Sequence, residues 1–270
     1  MDLQFLTWNV TGIMSTASQL CDVMEGGNID IVGISEHWLT PSNQHFLGSL
    51  SSDYEYTAVC DDNNEKGSRG KLGKGGVSIM WHKRLTDRVQ PLDIDDHRVI
   101  GIKLQLSPNN VMFIFQVYMP CTNHSLDTFK RHLNMLYDLY NCYQDQGYVI
   151  FMGDFNASVC RKTPRSRDRL LSTFLSDCNM CAINTMNNFS CITNTFVSYD
   201  GTMYTAIDYI LVPQECLDFV SHCEVATDEC LVYSRHRPIL CCLTLTLELC
   251  RPVIAFNDAS GKWNETINWK

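Results

Sequence analysis

The chain has 270 residues, 45% of them hydrophobic and only 19% charged, so it carries enough apolar surface for a sizeable core and is not a disordered polymer. Its 21 basic and 30 acidic side chains give a formal net charge of −9, which weighs against a generally basic, non-specific nucleic-acid binder and directs attention to where basic residues cluster. No apolar run reaches transmembrane length, and no basic-then-apolar leader opens the chain, so neither a membrane protein nor a secreted one is expected.

Residues 3–8 alternate as a strand does and deliver Asn9, with Val10-Thr11-Gly12 as the turn. Residues 15–25 predict a helix, with Ser15 as N-cap and Leu20, Val23 and Met24 at helical spacing. Residues 29–35 are a β-branched run, a buried strand that delivers Glu36-His37-Trp38. Residues 54–59 and 77–81 predict strands. Between them lies a polar, Gly-rich loop, 61–76, carrying Lys66, Arg69, Lys71 and Lys74. Residues 99–106 and 111–117 pair as a hairpin about Ser107-Pro108-Asn109-Asn110, and the second strand delivers Tyr118-Met119-Pro120. Phe129, Leu133, Leu136, Leu139 and Tyr140 predict an amphipathic helix over 126–143.

The apolar run 148–152 is a buried strand ending on Gly153-Asp154-Phe155-Asn156-Ala157. An acid and an amide two residues apart therefore sit at a strand's C-terminal lip, where open α/β sheets place their chemistry. The same pentapeptide could equally be a turn after a strand. A second basic loop follows, with Arg161, Lys162, Arg165, Arg167 and Arg169. A helix over 170–175 and short strands over 181–184 and 192–196 come next. A strand over 205–212 carries Asp208 inside a β-branched run, where an acid is costly unless paired. Ser234-Arg235-His236-Arg237-Pro238 precedes a final strand over 239–247. Periodicity is lost after Cys250, so 1–250 reads as one domain and 251–270 as a tail or linker. The 14 cysteines are scattered and many lie in apolar runs, as Cys60 and Cys241-Cys242 do; they read as reduced, buried thiols of an intracellular protein, nuclear or cytoplasmic. Cys178-Asn179-Met180-Cys181 lacks the partner ligands of a zinc site.

Helices interleaved with roughly ten or more strands predict a layered α/β architecture with two packed mixed β-sheets. Asn9, Glu36, Tyr118, Asp154, Asn156 and His236 all fall at strand ends or in neighbouring loops. Singly, each has an ordinary role: Asn9 as a turn cap, Glu36 as an exposed acid, Tyr118 as packing, His236 as surface. Together they are the parts of a metal-dependent phosphodiesterase. Glu36 suits a hard divalent cation, and Asp154 suits the base that poises a water. His236, Asn156 and Tyr118 can donate to developing negative charge, and Asp208 can hold the His236 ring. The two basic loops either grip a phosphate backbone or are ordinary solvated loops.

Leu6-Thr7-Trp8-Asn9-Val10-Thr11-Gly12, Ile34-Ser35-Glu36, Gly75-Gly76-Val77, Val117-Tyr118-Met119-Pro120, Gly153-Asp154-Phe155-Asn156-Ala157, Ile207-Asp208-Tyr209-Ile210 and Ser234-Arg235-His236-Arg237-Pro238 follow the order seen in the endonuclease/exonuclease/phosphatase superfamily. The chain most resembles the apurinic-type endonuclease domain of non-LTR retrotransposons, over residues 3–248. The resemblance implies a four-layer α/β sandwich that cleaves phosphate esters with Mg²⁺ or Mn²⁺. It implies that Glu36 binds metal, that Asp154 activates water, that Asn9, Asn156 and Tyr118 position groups around the phosphate, and that Asp208 orients His236. It further implies DNA as partner, and a reverse transcriptase C-terminal to a linker whose start is the tail ending in Trp263 and Trp269. Three positions depart from the family pattern: Arg235 where an Asp is expected, Thr11 where many members carry Asp or Asn, and Cys121 where several carry a phosphate-binding Asn. Three functions follow: a Mg²⁺-dependent DNA endonuclease, a phosphatase on a small phosphate ester, or an impaired relic that binds nucleic acid or protein.

Overall fold

The computed structural model describes residues 1–61, 73–186, 194–227 and 234–245. In chain order the elements are β1 (Asp2–Asn9), α1 (Ile13–Gly26), β2 (Ile31–Ser35), α2 (Phe46–Ser49), β3 (Tyr54–Val59), β4 (Val77–His82), β5 (Val89–Leu92), β6 (Val99–Ser107), β7 (Asn110–Tyr118), α3 (Leu126–Tyr143), β8 (Tyr148–Asp154), α4 (Ser166–Asp177), β9 (Met180–Ala182), β10 (Phe196–Val197), β11 (Tyr204–Thr205), β12 (Asp208–Pro213), β13 (Val220–Val225) and β14 (Ile239–Thr244). Short 3₁₀ turns over Lys83–Arg88, Ile183–Thr185 and Gln214–Phe219 join some of them.

Two six-stranded mixed sheets result, ordered β13-β14-β1-β2-β4-β3 and β5-β6-β7-β8-β12-β9, with β10-β11 a separate hairpin. Each has one parallel pair at its centre, β1 with β2 and β7 with β8. Parallel neighbours need a crossover, and α1 and α3 supply it. The inner faces meet in one core that includes Phe5, Ile79, Trp81, Ile102, Ile114, Ile150 and Ile210. Leu6, Trp8, Ile13, Leu20 and Met24 pack between α1 and the first sheet. Phe115, Phe129, Leu133, Phe151 and Phe174 pack between α3, α4 and the second. The helix–sheet–sheet–helix sandwich is the expected architecture.

A polar seam crosses the dry inter-sheet core. The Thr7 hydroxyl donates to Gln116 Oε1 at 3.1 Å, Gln116 Nε2 donates to Ser35 Oγ at 2.8 Å, and Ser35 Oγ donates to the Val117 carbonyl at 3.1 Å. These groups are buried and mutually satisfied, so they fix register between sheets. Of the strands they tie, β1 ends on Asn9, β7 ends on Tyr118, and β2 is followed directly by Glu36.

α3 spans the predicted residues: Ser125 Oγ accepts the Thr128 N–H at 3.1 Å as its N-cap. α4 begins at Ser166, four residues before the predicted 170, because the buried Asp168 carboxylate collects the Arg165 and Ser158 amides, each at 2.7 Å, and the Arg161 guanidinium at 2.6 Å. The single strand expected over 205–212 is two elements: Thr205 closes the β10–β11 hairpin and β12 starts at Asp208. The segment 181–184 divides between β9 and a 3₁₀ turn. Of 192–196, residues 192 and 193 lie outside the described residues and Phe196 opens β10; of 239–247, the described strand is Ile239–Thr244. The tail 251–270 also lies outside them.

Candidate active site

The registers bring the expected residues to one lip. Tyr118 faces Asp154 across the parallel β7–β8 pair, and Asp208 faces Asp154 across the antiparallel β8–β12 pair. Asn9 ends β1, and Glu36 follows the last residue of β2. Four non-glycine residues here sit in the left-handed region: Thr11 (φ 47°), Glu36 (φ 55°), Trp38 (φ 57°) and Asn156 (φ 48°). Such conformations cluster where a fold must aim side chains rather than continue an element.

Asn9 joins the two halves. Its Nδ2 donates to Glu36 Oε1 at 2.9 Å and to Asp154 Oδ2 at 3.0 Å. Its Oδ1 accepts from the Thr11 amide at 3.1 Å, which sets the amide's orientation. The Asn156 backbone amide donates to Asp154 Oδ1 at 2.8 Å, and its Nδ2 donates to the Met119 carbonyl at 2.9 Å and to Asp154 Oδ2 at 3.2 Å. His236 Nδ1 meets both oxygens of Asp208, at 3.0 and 2.9 Å. The Thr195 hydroxyl donates to Asp208 Oδ2 at 2.6 Å. Ser234 Oγ donates to the Asn9 carbonyl at 2.6 Å and accepts the His236 amide at 3.1 Å, tying the last loop to the first strand. The buried Asp208 is thus paired, as its placement demanded.

Burial, and then the neighbouring Asp208, push Asp154 up to about 8, against the opposing pull of His236 and the Asn156 amide. For His236 burial acts downward, but Asp208, Asp154 and Glu36 outweigh it and raise the imidazole to about 9. Burial and the charges of Glu36 and Asp154 raise the Tyr118 phenol above its ordinary value, so it keeps its proton. The Arg98 guanidinium stacks on the Tyr118 ring, 4.9 Å from its centroid.

Several site residues were not singled out from sequence. Trp38 and Ser234 lie inside the quoted motifs, but nothing in a motif gives a side chain's aim. Arg98 lies in a loop with no periodicity to mark it, and Thr195 lies in the segment expected as a strand, 192–196, where nothing marked its hydroxyl. Of the basic residues, Lys66, Arg69 and Lys71 lie outside the described residues, while Lys74, Lys162, Arg165 and Arg169 are exposed. Arg161, Arg167 and Arg169 have internal partners, Arg169 donating to the Pro164 carbonyl at 2.7 Å. Arg161 pairs with Asp168 at 2.6 Å, and Arg167 donates to the Pro120 and His124 carbonyls at 2.5 and 2.6 Å and stacks on Phe129. An open groove of about 410 Å³ runs beside the lip, lined by Arg161, Arg165, Phe196, Met203 and Tyr204 among others. Phe196 packs on the His236 ring, with centroids 4.8 Å apart.

A lip of carboxylates, amides and an imidazole across the central strands of a two-sheet α/β sandwich defines a chain with the nuclease and phosphatase fold. The model of the Endonuclease/Exonuclease/phosphatase family matches residues 6–236, and the chain belongs to that family. It is 28% identical over 225 residues to craniofacial development protein 2 of Bos taurus, a match covering 77% of this chain and 35% of that protein. The chain therefore spans about a third of that relative's length. In structure it is similar to the AP endonuclease LMAP from Leishmania major, with a TM-score of 0.73 at 16% identity over 91% of this chain and 88% of that one. It is also similar to the endonuclease domain of TRAS1, a telomere-specific non-LTR retrotransposon, with a TM-score of 0.69 at 13% identity over 91% and 99% of the two chains.

Enzymes of this family generally depend on a divalent metal, and the residues present fit one. Glu36 is half-buried rather than sealed in, and each of its oxygens takes one hydrogen bond, from Asn9 and from Trp38, leaving lone pairs for a cation. With Asp154 alongside, the donors are hard oxygens. One nitrogen or oxygen each of Asp154, Asp208 and His236 also lie within 4.8 Å of one another. That trio is less suited to ligation, because Asp208 already takes the His236 ring on both oxygens and the Thr195 hydroxyl on one. Among the described residues no helix is long and apolar enough to cross a membrane.

Proposed function

We propose that the chain is a Mg²⁺- or Mn²⁺-dependent phosphodiesterase that nicks DNA, of the retrotransposon-endonuclease type. The observation that carries this reading is the Asn9 amide, which bridges Glu36 and Asp154 and so makes one site from both sheets. When bound at Glu36, a divalent cation supplies positive charge against the phosphate. Asp154, held by Asn9 and Asn156, accepts the proton of the attacking water. Protonated His236, braced by Asp208, donates to a phosphate oxygen, and Tyr118 contributes a second donor. Asn156 acts mainly by holding Asp154 and the Met119 carbonyl, since both are acceptors for its side-chain amide.

DNA is favoured over a small ester because the lip opens on a groove rather than a deep pocket. Met203 and Tyr204, which line it, expose 58% and 54% of their surface, and Tyr199 of the same hairpin exposes 77%; the tyrosine rings are faces that bases can stack on. The similar structures include enzymes and a domain named for endonuclease action. A reverse transcriptase encoded downstream, and action in the nucleus, belong to the same proposal.

The impaired-relic reading rests on Arg235. Its guanidinium lies over the Tyr199 ring, 5.4 Å from the centroid, and among the described residues no ion pair joins it to Glu36, Asp154 or Asp208. This geometry leaves the carboxylates available and favours a working site. Nicking of supercoiled plasmid across a Mg²⁺ titration, beside Glu36→Ala, tests the proposal. Nicking that needs both Mg²⁺ and Glu36 is expected. Wild type at the Glu36→Ala background sinks the reading, and recovery in Arg235→Asp would then mark a broken nuclease.

A further inference from the structure

Glu36-His37-Trp38 is a hinge of two left-handed residues around a pinned histidine. Glu36 and Trp38 have φ of 55° and 57°, which bulky residues rarely adopt. His37 is fixed from both ring nitrogens: Nδ1 accepts the Leu39 amide at 3.0 Å, so Nε2 carries the proton that it donates to the Val59 carbonyl at 3.0 Å. Trp38 is fixed in turn. Its amide donates to the Gly75 carbonyl at 3.0 Å. Its indole lies so close over Gly12 that a Cβ there would come within 2.8 Å of Cε3. The single polar atom of that clamped ring, Nε1, donates to Glu36 Oε2 at 3.0 Å.

The Glu36 carboxylate is therefore oriented from two sides, by Asn9 on Oε1 and by Trp38 on Oε2. Packing alone asks for no left-handed tryptophan; any apolar side chain can cover Gly12. We propose that Trp38 is the positioning residue for the metal-binding carboxylate: its indole N–H holds Glu36 in the rotamer that takes the divalent cation. This rests on the metal reading of Glu36 given above. Partners that orient a ligating side chain are worth 10–100-fold in metal affinity.

The test is Mn²⁺ binding by calorimetry to wild type and to Trp38→Phe, which keeps an aromatic ring at position 38 and removes the donor together with part of the indole. Beside it runs a Mg²⁺ titration of wild type, following the Trp38 indole ¹H–¹⁵N resonance, assigned by its nuclear Overhauser contacts to Gly12. Expected are a loss of Mn²⁺ affinity of about tenfold or more in Trp38→Phe, an unchanged metal-free melting temperature, and an indole resonance that moves with Mg²⁺ occupancy. Equal Mn²⁺ affinity in the two proteins overturns the role of Trp38 and leaves the metal reading standing. A wild type that binds no Mn²⁺ overturns both. If Trp38→Phe does not fold, the wild-type resonance decides: one that stays still through Mg²⁺ saturation overturns the proposal, and one that moves supports it.

Discussion

Asp154 is the residue on which the proposed metal and a proton would compete. Burial and Asp208 push its carboxyl up to about 8, so the metal-free site is expected to hold a proton there at neutral pH. A cation beside Glu36 and Asp154 favours the ionised carboxylate, and binding must expel that proton. The sign follows: below about 8 acid competes with the metal, and above it the competition ends. Mn²⁺ affinity is expected to rise with pH between 6 and 8, by at most about tenfold per unit, and then to level off. Calorimetry in buffers of different ionisation enthalpy would show up to one proton released per ion. Affinity that is flat across this window would mean that Asp154 is already ionised in the folded protein. Asp154→Asn should lose the pH dependence together with most of the binding.

At the scale of elements, what was legible in the sequence is what repeats. The α3 stripe gave the bounds of that helix, and the β-branched runs gave the central strands that carry the site. Elements without such a signal were missed. β5 is a four-residue strand with Pro91 inside it, as edge strands tolerate. β13, Val-Ser-His-Cys-Glu-Val, is an edge strand whose polar side chains face solvent. The α4 start hid in a basic stretch because its capping acid, Asp168, lies inside the helix it caps. Chemistry was legible in the same uneven way. Asp154, Glu36 and His236 stood out as chemical types at strand ends, whereas Thr195, Ser234 and Trp38 act through aim, which only the fold supplies. Gly75-Gly76-Val77 now has a physical reason. Gly76 has φ +83°, and a Cβ on it would overlap the His37 ring. Gly76→Ala is expected to destabilise by roughly 2–4 kcal/mol, read as a lower urea midpoint with an unchanged slope. Arg167→Ala should likewise lower stability, by about 1–3 kcal/mol, since the guanidinium holds two carbonyls of the loop after β7. Its DNA affinity should barely change, while that of Arg165→Ala should fall, because the Arg165 side chain is exposed beside the groove. Equal loss of DNA affinity in both would show that Arg167 leaves its internal partners to reach phosphate.

At the scale of the whole molecule, a net charge of −9 sets the terms on which the proposed DNA substrate would be met. The body repels a polyanion, so attraction has to come from local positive charge and cannot extend far beyond a Debye length of about 8 Å at physiological salt. Within the two basic loops, the exposed cations among the described residues are Lys74 before β4 and Lys162, Arg165 and Arg169 around the start of α4. Each phosphate neutralised contributes about −0.9 to the slope of log affinity against log salt. If all of these reach phosphates, the slope is about −3.6, and raising KCl from 50 to 200 mM weakens binding roughly a hundredfold. Lys66, Arg69 and Lys71 provide the contrast. Should they also contact DNA, the slope steepens by about 2.7, and the triple alanine variant restores the shallower line. Fluorescence anisotropy with a short duplex, in the absence of divalent cations and with Glu36→Ala to silence cleavage, reads both slopes. A line with no salt dependence would mean that neither basic loop meets a phosphate backbone. The negative charge of the body would then argue for a small phosphate ester, whose single anionic group the lip alone could hold.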